Sequence, residues 1–364
     1  MRLMTVVGTR PEIIRLSRLI PRMDEHLDHV LVHTGQNAAH ALSGVFFAEL
    51  GVRGPDHFLS VDTTSLGTQL ATLFGRFEAL LDEERPQALL VLGDTNSALV
   101  AFSAKRRGIP VYHMEAGNRC FDDRVPEEVN RRVIDHCSTV LMPYTERSAA
   151  NLVREGIARE RIYVTGNPIY EVLRAYAPRI AASDALERHG VQPGGYLLAT
   201  LHRAENTSDP PVLHGLCQAL GRTAELYGLP LILSVHPRVE GRLPAEAFGA
   251  GRVVPVPAMP FFEFVRLQQS AALVLSDSGT VQEECAILGV PVLTLRDTTE
   301  RPETVECGSN LVASTDPGRI VECARFLRSL PPGGGWTLPP EYLAPNVSET
   351  VLRIVLGGPR AAAP

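Results

Sequence analysis

The chain has 364 residues, of which 45% are hydrophobic and 21% are charged, and its formal net charge is -6. This composition is typical of a globular protein and excludes a disordered or fibrous chain. The acidic balance, with a pI near 6.0, argues against nucleic acid or an anionic membrane surface as the main partner. The length exceeds one ordinary core, so two domains of roughly 150 to 200 residues each are expected.

The N-terminal stretch MRLMTVVGTRPE predicts a cytoplasmic protein. Arg10 and Glu12 come too early for the apolar core of a signal peptide, and no apolar run approaches the roughly 18 residues of a membrane span. The six cysteines include no C-x-x-C pair, and no H-E-x-x-H spacing occurs. We therefore expect neither a disulfide framework nor a metal site.

One pattern recurs along the chain: a short run rich in Val, Leu and Ile, then a polar or glycine-bearing turn, then a longer segment with helical spacing. The runs of the first half are RLMTVVGTR, HVLVHTGQN, QALLVLGDT, PVYHMEAGN, TVLMPYT and RIYVTGNPI, and those of the second half are YLLATLHR, PLILSVHP, RVVPVPA, ALVLSDSG, PVLTLRD and SNLVAST. Apolar runs that alternate with helices predict parallel sheets covered on both faces. The predicted fold class is α/β, with two doubly wound Rossmann-like domains over residues 1–170 and 171–344. A terminal helix over 345–357 is expected to pack back on the first domain.

Ionisable and small polar residues stand at the carboxyl ends of these runs, where open α/β sheets bind their ligands. They are Arg10, Asp94, Glu115, His202, His236, Ser278 with Gly279, and Arg296. Two of these ends lead into predicted helix starts, one beside Arg10 and Arg15 and one formed by Ser278, Gly279 and Thr280. A helix start attracts phosphate through its free N–H groups and its dipole, although an ordinary helix cap is the alternative reading. Neither stretch is a Walker loop or a G-x-G-x-x-G, so the ATP and NAD motifs are absent.

Three carboxylates, Asp94, Glu115 and Glu127, form a candidate acid/base group. Two of them end predicted neighbouring strands, and Glu127 opens a helix behind Pro126. Mutual repulsion separates the pKa values of clustered acids, which gives one proton acceptor and one donor. His202 is a candidate to donate to a phosphate or to transfer a proton. Structural caps for the acids and a structural hydrogen bond for His202 are the alternatives. Glu283 and Glu284 are candidates to bind ribose hydroxyls or, alternatively, are surface acids that satisfy a helix dipole.

Several motifs, taken together, identify a resemblance that runs in order from residue 8 to 303. They are GTRPE (8–12), GDTNS (93–97), HMEAGNR (113–119), RVPEEVNRR (124–132), TGNPI (165–169), SDSGTVQEE (276–284), GVPVL (289–293) and RDTTERPE (296–303). This set resembles the non-hydrolysing UDP-N-acetylglucosamine 2-epimerases. The resemblance implies a fold of the glycosyltransferase-B type with the active site in the interdomain cleft, a homodimer, and no cofactor or required metal. It also implies reversible inversion at C2 of UDP-GlcNAc to UDP-ManNAc, by elimination of UDP to 2-acetamidoglucal and re-addition.

The resemblance also implies roles for matching residues of this chain. Near the diphosphate it places Arg10, Arg15 and His202, with Ser278, Gly279 and Thr280 at the second helix start. Glu284 is expected to bind the ribose, and Arg301 to complete the nucleotide or sugar site. Because Met259 stands near the family's uracil-binding glutamine, the base contact is expected to rest on the backbone and on Phe264. The acid/base group is again Asp94, Glu115 and Glu127, with Arg119 and Arg131 as charge partners; which carboxylate removes the C2 proton stays open.

This sequence departs from the family pattern at three places. Arg15 stands where many relatives have lysine, and Met259 falls near a glutamine that many bacterial relatives place beside the uracil. The stretch TGQNAAH (34–40) replaces the T-A-Q-H-R pattern with which many bacterial relatives bind a second, activating UDP-GlcNAc. We therefore expect allosteric activation to be weakened or lost. Sigmoidal kinetics would contradict this expectation.

Four alternatives stay open at the level of the sequence. The stretch MEAGNRCFDDRVPEE also resembles a subgroup that includes 2-epimerases of 6-deoxy UDP-N-acetylhexosamines in the L-fucosamine route. Hydrolysing relatives that release ManNAc and UDP share much of the acid cluster. A glycosyltransferase of the same architecture would need a second acceptor, and a nucleotide-sugar sensor would bind UDP without needing the three acids together.

Overall fold

The computed structural model describes residues 1–36, 46–236, 239–331 and 335–362. The chain divides into two compact units. The first unit consists of Met1–Arg174 together with Pro340–Pro364, and the second unit of Ala175–Pro339. Each contains a six-stranded sheet in which all strand pairs are parallel. The predicted fold class, two doubly wound α/β domains, is confirmed.

The first unit alternates strands and helices from its first residues. Its strands are β1 (Arg2–Val7), β2 (Asp28–His33), β3 (His57–Phe58), β4 (Ala88–Leu92), β5 (Val111–Met114) and β6 (Val140–Met142). Its helices are α1 (Arg10–Leu16), α2 (Leu19–His26), α3 (Leu66–Glu84), α4 (Ala101–Arg106), α5 (Pro126–Cys137), α6 (Glu146–Arg154) and α7 (Pro168–Ala181), with residues 46–50 also helical. Helix α7 contains the division between the units. The C-terminal helix Val347–Gly357 packs against α2, where Arg22 and Glu349 form an ion pair of 3.2 Å.

The second unit repeats the arrangement. Its strands are β7 (Leu197–Leu201), β8 (Leu231–Val235), β9 (Val253–Pro257), β10 (Leu273–Ser276), β11 (Val292–Thr294) and β12 (Asn310–Val312). Its helices are α8 (Ala185–Arg188), α9 (Ala204–Thr207), α10 (Pro210–Tyr227), α11 (Phe261–Gln268), α12 (Gly279–Leu288), α13 (Pro302–Glu306) and α14 (Pro317–Ser329). Within the described residues, no helix is long and apolar enough to cross a membrane.

One predicted strand is wrong. RIYVTGNPI contributes only an isolated bridge between Ile162 and Leu141 of β6. The Tyr163 and Thr165 N–H groups still donate to the Leu141 and Pro143 carbonyls, at 2.9 and 3.0 Å. The segment then turns into α7 at Pro168, so the apolar run is too short to form a seventh strand.

Both sheets have the same topology. The order is β3-β2-β1-β4-β5-β6 in the first unit and β9-β8-β7-β10-β11-β12, read from its other edge, in the second. The order therefore reverses between β1 and β4 and again between β7 and β10. Helices cover both faces of such a sheet, which explains why β1, β4 and β10 are buried along nearly their whole length. Ligands of doubly wound sheets bind at the carboxyl ends of the strands beside these reversal points.

Candidate active site

Glu12 joins the ends of β1 and β4 at the reversal point of the first sheet. Thr9 caps α1 and forms a capping box with Glu12, and Pro11 occupies the first turn as predicted. The Glu12 carboxylate accepts hydrogen bonds from the Gly8 and Thr9 N–H groups, and from Thr95 Oγ1 at 2.7 Å. A Cβ atom on Gly8 would collide with Ser97 Oγ, so the close approach of the two strand ends requires glycine here.

Burial raises the pKa of the Glu12 carboxyl to about 7, although its three hydrogen bonds act to lower it. The folded protein therefore binds a proton that the unfolded chain, with a pKa of 4.5, releases. The resulting stability is fully present below pH 4.5 and is lost as the pH rises through 7, by about 3 kcal/mol in total. We expect Glu12→Gln, which mimics the protonated acid, to flatten the fall in unfolding free energy between pH 5 and 8. Urea unfolding of both proteins across this range measures the difference; parallel curves would contradict the assignment.

Arg10 and Arg15 lie on α1 but in different surroundings. Arg15 is buried, forms an ion pair with Glu115, and stacks over the Tyr144 ring at 5.5 Å. Arg10 is half-buried over the Phe46 ring at 5.1 Å, and burial lowers the pKa of its guanidinium below its ordinary value. The structure thus gives Arg15 a carboxylate partner 100 positions away that sequence reasoning did not identify.

Glu115 follows β5 in a strained conformation. Its φ of 66° lies in the left-handed region, which costs a non-glycine residue on the order of 1–3 kcal/mol and is concentrated at functional sites. The carboxylate is buried, and the backbone N–H donates to the Met142 carbonyl at 3.1 Å. This left-handed conformation directs the buried Glu115 carboxylate away from the strand and towards Arg15.

Asp94 ends the neighbouring strand β4 and is held by Arg131 of α5. Strands β4 and β5 pair with Leu92 opposite Met114, so Asp94 and Glu115 stand at the same edge of the sheet. Arg131 donates to Asp94 Oδ2 through Nε at 2.8 Å, and its Nη2 lies 2.6 Å from the same oxygen. Each of the two strand-end acids is therefore paired with its own buried arginine.

Glu128 is the second partner of Arg131, at 2.7 Å. It is fully buried and accepts from the Cys120 and Phe121 N–H groups at 3.0 Å each. Burial alone would raise the pKa of Glu128, but these donors and Arg131 outweigh it and hold the pKa below its ordinary value. Glu127, the third predicted acid, lies half-buried in the first turn of α5, beside this pair.

A buried network behind the acids fixes the loop between β5 and α5. His113 Nε2 faces the Gly93 carbonyl and its Nδ1 faces Asp135 Oδ1, both at 2.9 Å. Arg119 donates to Asp135 at 2.8 Å and to Glu155 at 2.6 Å. Burial acts to raise the pKa of Asp135, but His113 and Arg119 prevail and keep it below its ordinary value. Sequence reasoning missed His113 and Asp135 because a histidine inside an apolar strand gives no local signal of its partner.

His202 follows β7 in the second unit and pairs with Asp277, which follows β10. The distance from His202 Nδ1 to Asp277 Oδ1 is 2.9 Å. Asp277 is fully buried, whereas about a third of the His202 side chain, 34%, is exposed. The His202 ring also lies 6.2 Å, centroid to centroid, from the His236 ring. A solvent-reachable histidine is thus anchored by an inaccessible carboxylate at the second reversal point.

Helix α12 begins beside this pair. Ser278 is its N-cap, as predicted for a helix start, and Ser278 Oγ lies 3.0 Å from Thr280 Oγ1. A Cβ atom on Gly279 would collide with Glu300 Oε1, so glycine allows that carboxylate to reach the helix start. Glu300 in turn pairs with Arg296 at 2.8 Å and with Arg203 at 3.4 Å. The helix start therefore lies in a cluster of two arginines and one carboxylate.

The remaining predicted residues of the second unit are buried or partly buried. Arg301 pairs with Glu283 at 2.6 Å, and Glu284 is also buried, so the reading of both glutamates as surface acids is wrong. Phe264 is partly buried and packs against an apolar cluster that includes Met259. This places Phe264, which is partly exposed, at the edge of a core.

Two further predictions concern a metal and the stretch 34–40. Among the described residues, no group of three His, Cys, Asp or Glu side chains is placed to hold a metal ion. Within 34–40, Gln36 Oε1 accepts from the Ser97 N–H and hydroxyl groups at 3.0 and 2.8 Å. Residues 37–40, on which the expected loss of allosteric activation also depends, lie outside the described residues.

Comparison with known proteins gives a consistent result. The family model described as UDP-N-acetylglucosamine 2-epimerase matches residues 21–355. The UDP-N-acetylglucosamine 2-epimerase of Methanocaldococcus jannaschii is 36% identical over 338 residues, which cover 90% of this chain and 92% of the relative. The UDP-2,3-diacetamido-2,3-dideoxy-D-glucuronate 2-epimerase of Pseudomonas aeruginosa is also 36% identical, over 89% of this chain and 92% of the relative.

Solved structures agree with the sequence relatives. The Methanocaldococcus jannaschii UDP-GlcNAc 2-epimerase, crystallised with UDP-GlcNAc and UDP, has a TM-score of 0.91 and 34% identity, over 98% of this chain and all of that one. The Rickettsia bellii UDP-N-acetylglucosamine 2-epimerase has a TM-score of 0.89 and 39% identity, over 98% of this chain and 96% of that one. On this evidence the chain belongs to the UDP-N-acetylglucosamine 2-epimerase family.

Proposed function

We propose that this protein reversibly inverts C2 of UDP-N-acetylglucosamine to give UDP-N-acetylmannosamine, by eliminating UDP and adding it back. Family membership supports the reaction class. The two relatives of equal identity are named for different sugars, but both names specify a UDP group and a 2-acetamido substituent. The 2-acetamido UDP sugar is therefore the shared chemical feature of the substrates.

The observation that carries the proposal is the pair of strand-end acids. Asp94 and Glu115 stand at adjacent positions of one sheet edge, and each is held by a different arginine. Epimerisation at C2 removes a proton from one face of the sugar and returns one to the other face. Two separately positioned carboxyl groups supply one acceptor and one donor for these transfers.

The proposed reaction has two steps, an elimination and a re-addition. In the first, one carboxylate accepts the C2 proton, the C2–H electron pair becomes the second bond of a C1=C2 alkene, and the C1–O bond breaks with its electrons leaving on UDP. In the second, UDP oxygen attacks C1, and a carboxylic acid delivers a proton to C2 on the opposite face. Asp94, Glu115 and Glu127 are the proposed acid/base group, and Arg131 and Arg15 hold two of them in place.

Charge that builds on the departing diphosphate requires cations and helix N–H groups. We assign this role to Arg10, Arg15 and His202, together with the α12 start at Ser278, Gly279 and Thr280. In the structure Arg15 forms an ion pair with Glu115. Arg15 can therefore contact the diphosphate only if it binds both groups at once or exchanges Glu115 for the diphosphate. Glu284 is proposed for the ribose, Phe264 for the base and Arg301 for completing the nucleotide site. Homodimer formation and a cytoplasmic location remain predictions.

Product analysis by proton NMR tests this function. Purified protein incubated with UDP-GlcNAc alone should produce UDP-ManNAc until the two reach equilibrium. Free ManNAc with UDP would assign the hydrolysing reaction instead. No turnover of UDP-GlcNAc, with turnover of a 6-deoxy UDP-N-acetylhexosamine, would keep the reaction and change the substrate.

A further inference from the structure

Asp277 has no role in the function proposed above, yet it is among the most densely hydrogen-bonded carboxylates of the second unit. Its Oδ2 accepts from the His202 and Arg203 N–H groups, each at 3.0 Å, and from Asn206 Nδ2 at 3.1 Å. Its Oδ1 faces His202 Nδ1 at 2.9 Å and shares the His202 backbone N–H with Oδ2, at 3.2 Å. Asn206 also donates to the Leu295 carbonyl at 3.0 Å. Asp277 therefore links the carboxyl ends of β7, β10 and β11.

These contacts determine the protonation of both partners. Burial acts to raise the pKa of Asp277, but His202 and the backbone donors outweigh it and bring the pKa to about 2. The carboxylate is thus ionised near neutral pH and only accepts hydrogen bonds. His202 Nδ1 must then carry a proton, which leaves Nε2 as the ring nitrogen that faces away from Asp277.

We propose that Asp277 is a positioning residue for His202. Asp277 holds the ring in the form that carries a proton on Nδ1, and it balances the positive charge of the ring while Nε2 acts on the leaving diphosphate. This inference rests on the proposed function, in which His202 contacts the diphosphate. The positive ring then donates through Nδ1 to Asp277 and through Nε2 to a phosphate oxygen. Nearby charged or titratable groups are Arg203, Glu300 and His236, but the buried carboxylate that contacts the ring is Asp277.

The asymmetry of the two carboxylate oxygens makes Asp277→Asn a specific test. The Oδ2 position meets three N–H donors, and two of them, from Arg203 and Asn206, contact this oxygen alone, so we expect the amide oxygen of the variant to occupy it. The amide NH₂ group then faces His202 Nδ1, which becomes an acceptor, and a neutral ring changes to the Nε2–H tautomer. The variant also lacks the negative charge that supports a positive ring.

We expect Asp277→Asn to lower kcat by about 10²-fold or more, with KM changed only a few-fold. In a His202→Gln background the same substitution should cause little further loss, because Asp277 acts through the ring. The matched control is Asp316→Asn, which retains an N-cap for α14 and should leave kcat unchanged. A similar additional loss in the His202→Gln background, or an unchanged kcat in the single variant, would overturn the proposal.

Nitrogen NMR of ¹⁵N-histidine-labelled full-length protein gives a readout that does not depend on turnover. The wild-type His202 ring, assigned by comparison with His202→Gln, should show a protonated Nδ1, and the Asp277→Asn ring a protonated Nε2 with unprotonated Nδ1. A wild-type ring with unprotonated Nδ1 would overturn the proposal even if the variant did not fold. If the protein fails to epimerise UDP-GlcNAc, the function is wrong, while these nitrogen signals still decide the role of Asp277 in fixing the ring.

Discussion

Glu115→Gln is expected to lower kcat for epimerisation by about 10²- to 10⁴-fold while the affinity for UDP changes only a few-fold. The amide cannot exchange a proton with C2, whereas the groups of the second unit assigned to the nucleotide are untouched. The substitution also weakens the ion pair with Arg15, so thermal stability must be measured alongside activity. Initial rates with UDP-GlcNAc and calorimetric titration with UDP provide the two readouts.

The control for this variant is Glu146→Gln, which changes an exposed glutamate in the first turn of α6. It should retain full activity. A Glu115→Gln protein that keeps more than a tenth of the wild-type kcat would remove Glu115 from the proton transfers. A protein that loses UDP binding in proportion to kcat would instead make Glu115 a binding residue.

Arg131→Met is expected to reduce the free energy of unfolding by about 3–5 kcal/mol. Arg131 is 2% exposed and is the shared partner of Asp94 and Glu128. Its removal leaves the fully buried Glu128 carboxylate with only a 3.5 Å contact to the partly exposed Arg132, and a poorly compensated buried charge costs more than the intact pair contributes. Urea unfolding followed by circular dichroism measures the loss, and a fall in kcat should accompany it because Asp94 loses its anchor.

The adjacent Arg132 supplies the control. Its side chain is 40% exposed, pairs with the exposed Asp123 at 2.9 Å, and reaches the buried Glu128 only through a long contact of 3.5 Å. Surface pairs of this kind contribute about 0–1 kcal/mol, so Arg132→Met should change stability by no more than that. Equal losses of unfolding free energy in the two variants would contradict the prediction, because they would show that burial of the Arg131 ion pairs does not increase the cost of breaking them.

The sequence was sufficient to predict the strand ends but not their partners. Apolar runs and the turns after them are local features, so Asp94, Glu115 and His202 were found at the ends of β4, β5 and β7. The pairing of Arg15 with Glu115, by contrast, spans 100 positions and depends on tertiary packing. Local sequence patterns indicate the periodicity of helices and strands, but they do not identify which charged residues form ion pairs in the folded protein.

Glu12 and Asp277 are two further residues whose tertiary partners the sequence did not reveal. Glu12 was read as an early charge near the N-terminus, whereas the fold buries it between two strand ends and raises its pKa. Asp277 appeared only within the motif SDSGTVQEE and received no role, because its donors come from His202 and Asn206, more than 70 positions away. Both lie beside the points where the strand order reverses, a position that topology reveals and sequence alone does not.

The central claim is that strand-end acids exchange the C2 proton while UDP departs and returns. The most direct test is to incubate the wild-type protein with UDP-GlcNAc in deuterated water and to follow C2 of both nucleotide sugars by NMR. We predict deuterium at C2 of UDP-ManNAc and, as the reaction reverses, at C2 of the remaining UDP-GlcNAc. UDP-ManNAc that forms with its original C2 hydrogen retained would contradict a mechanism in which carboxyl groups on two faces remove and return a solvent-exchangeable proton.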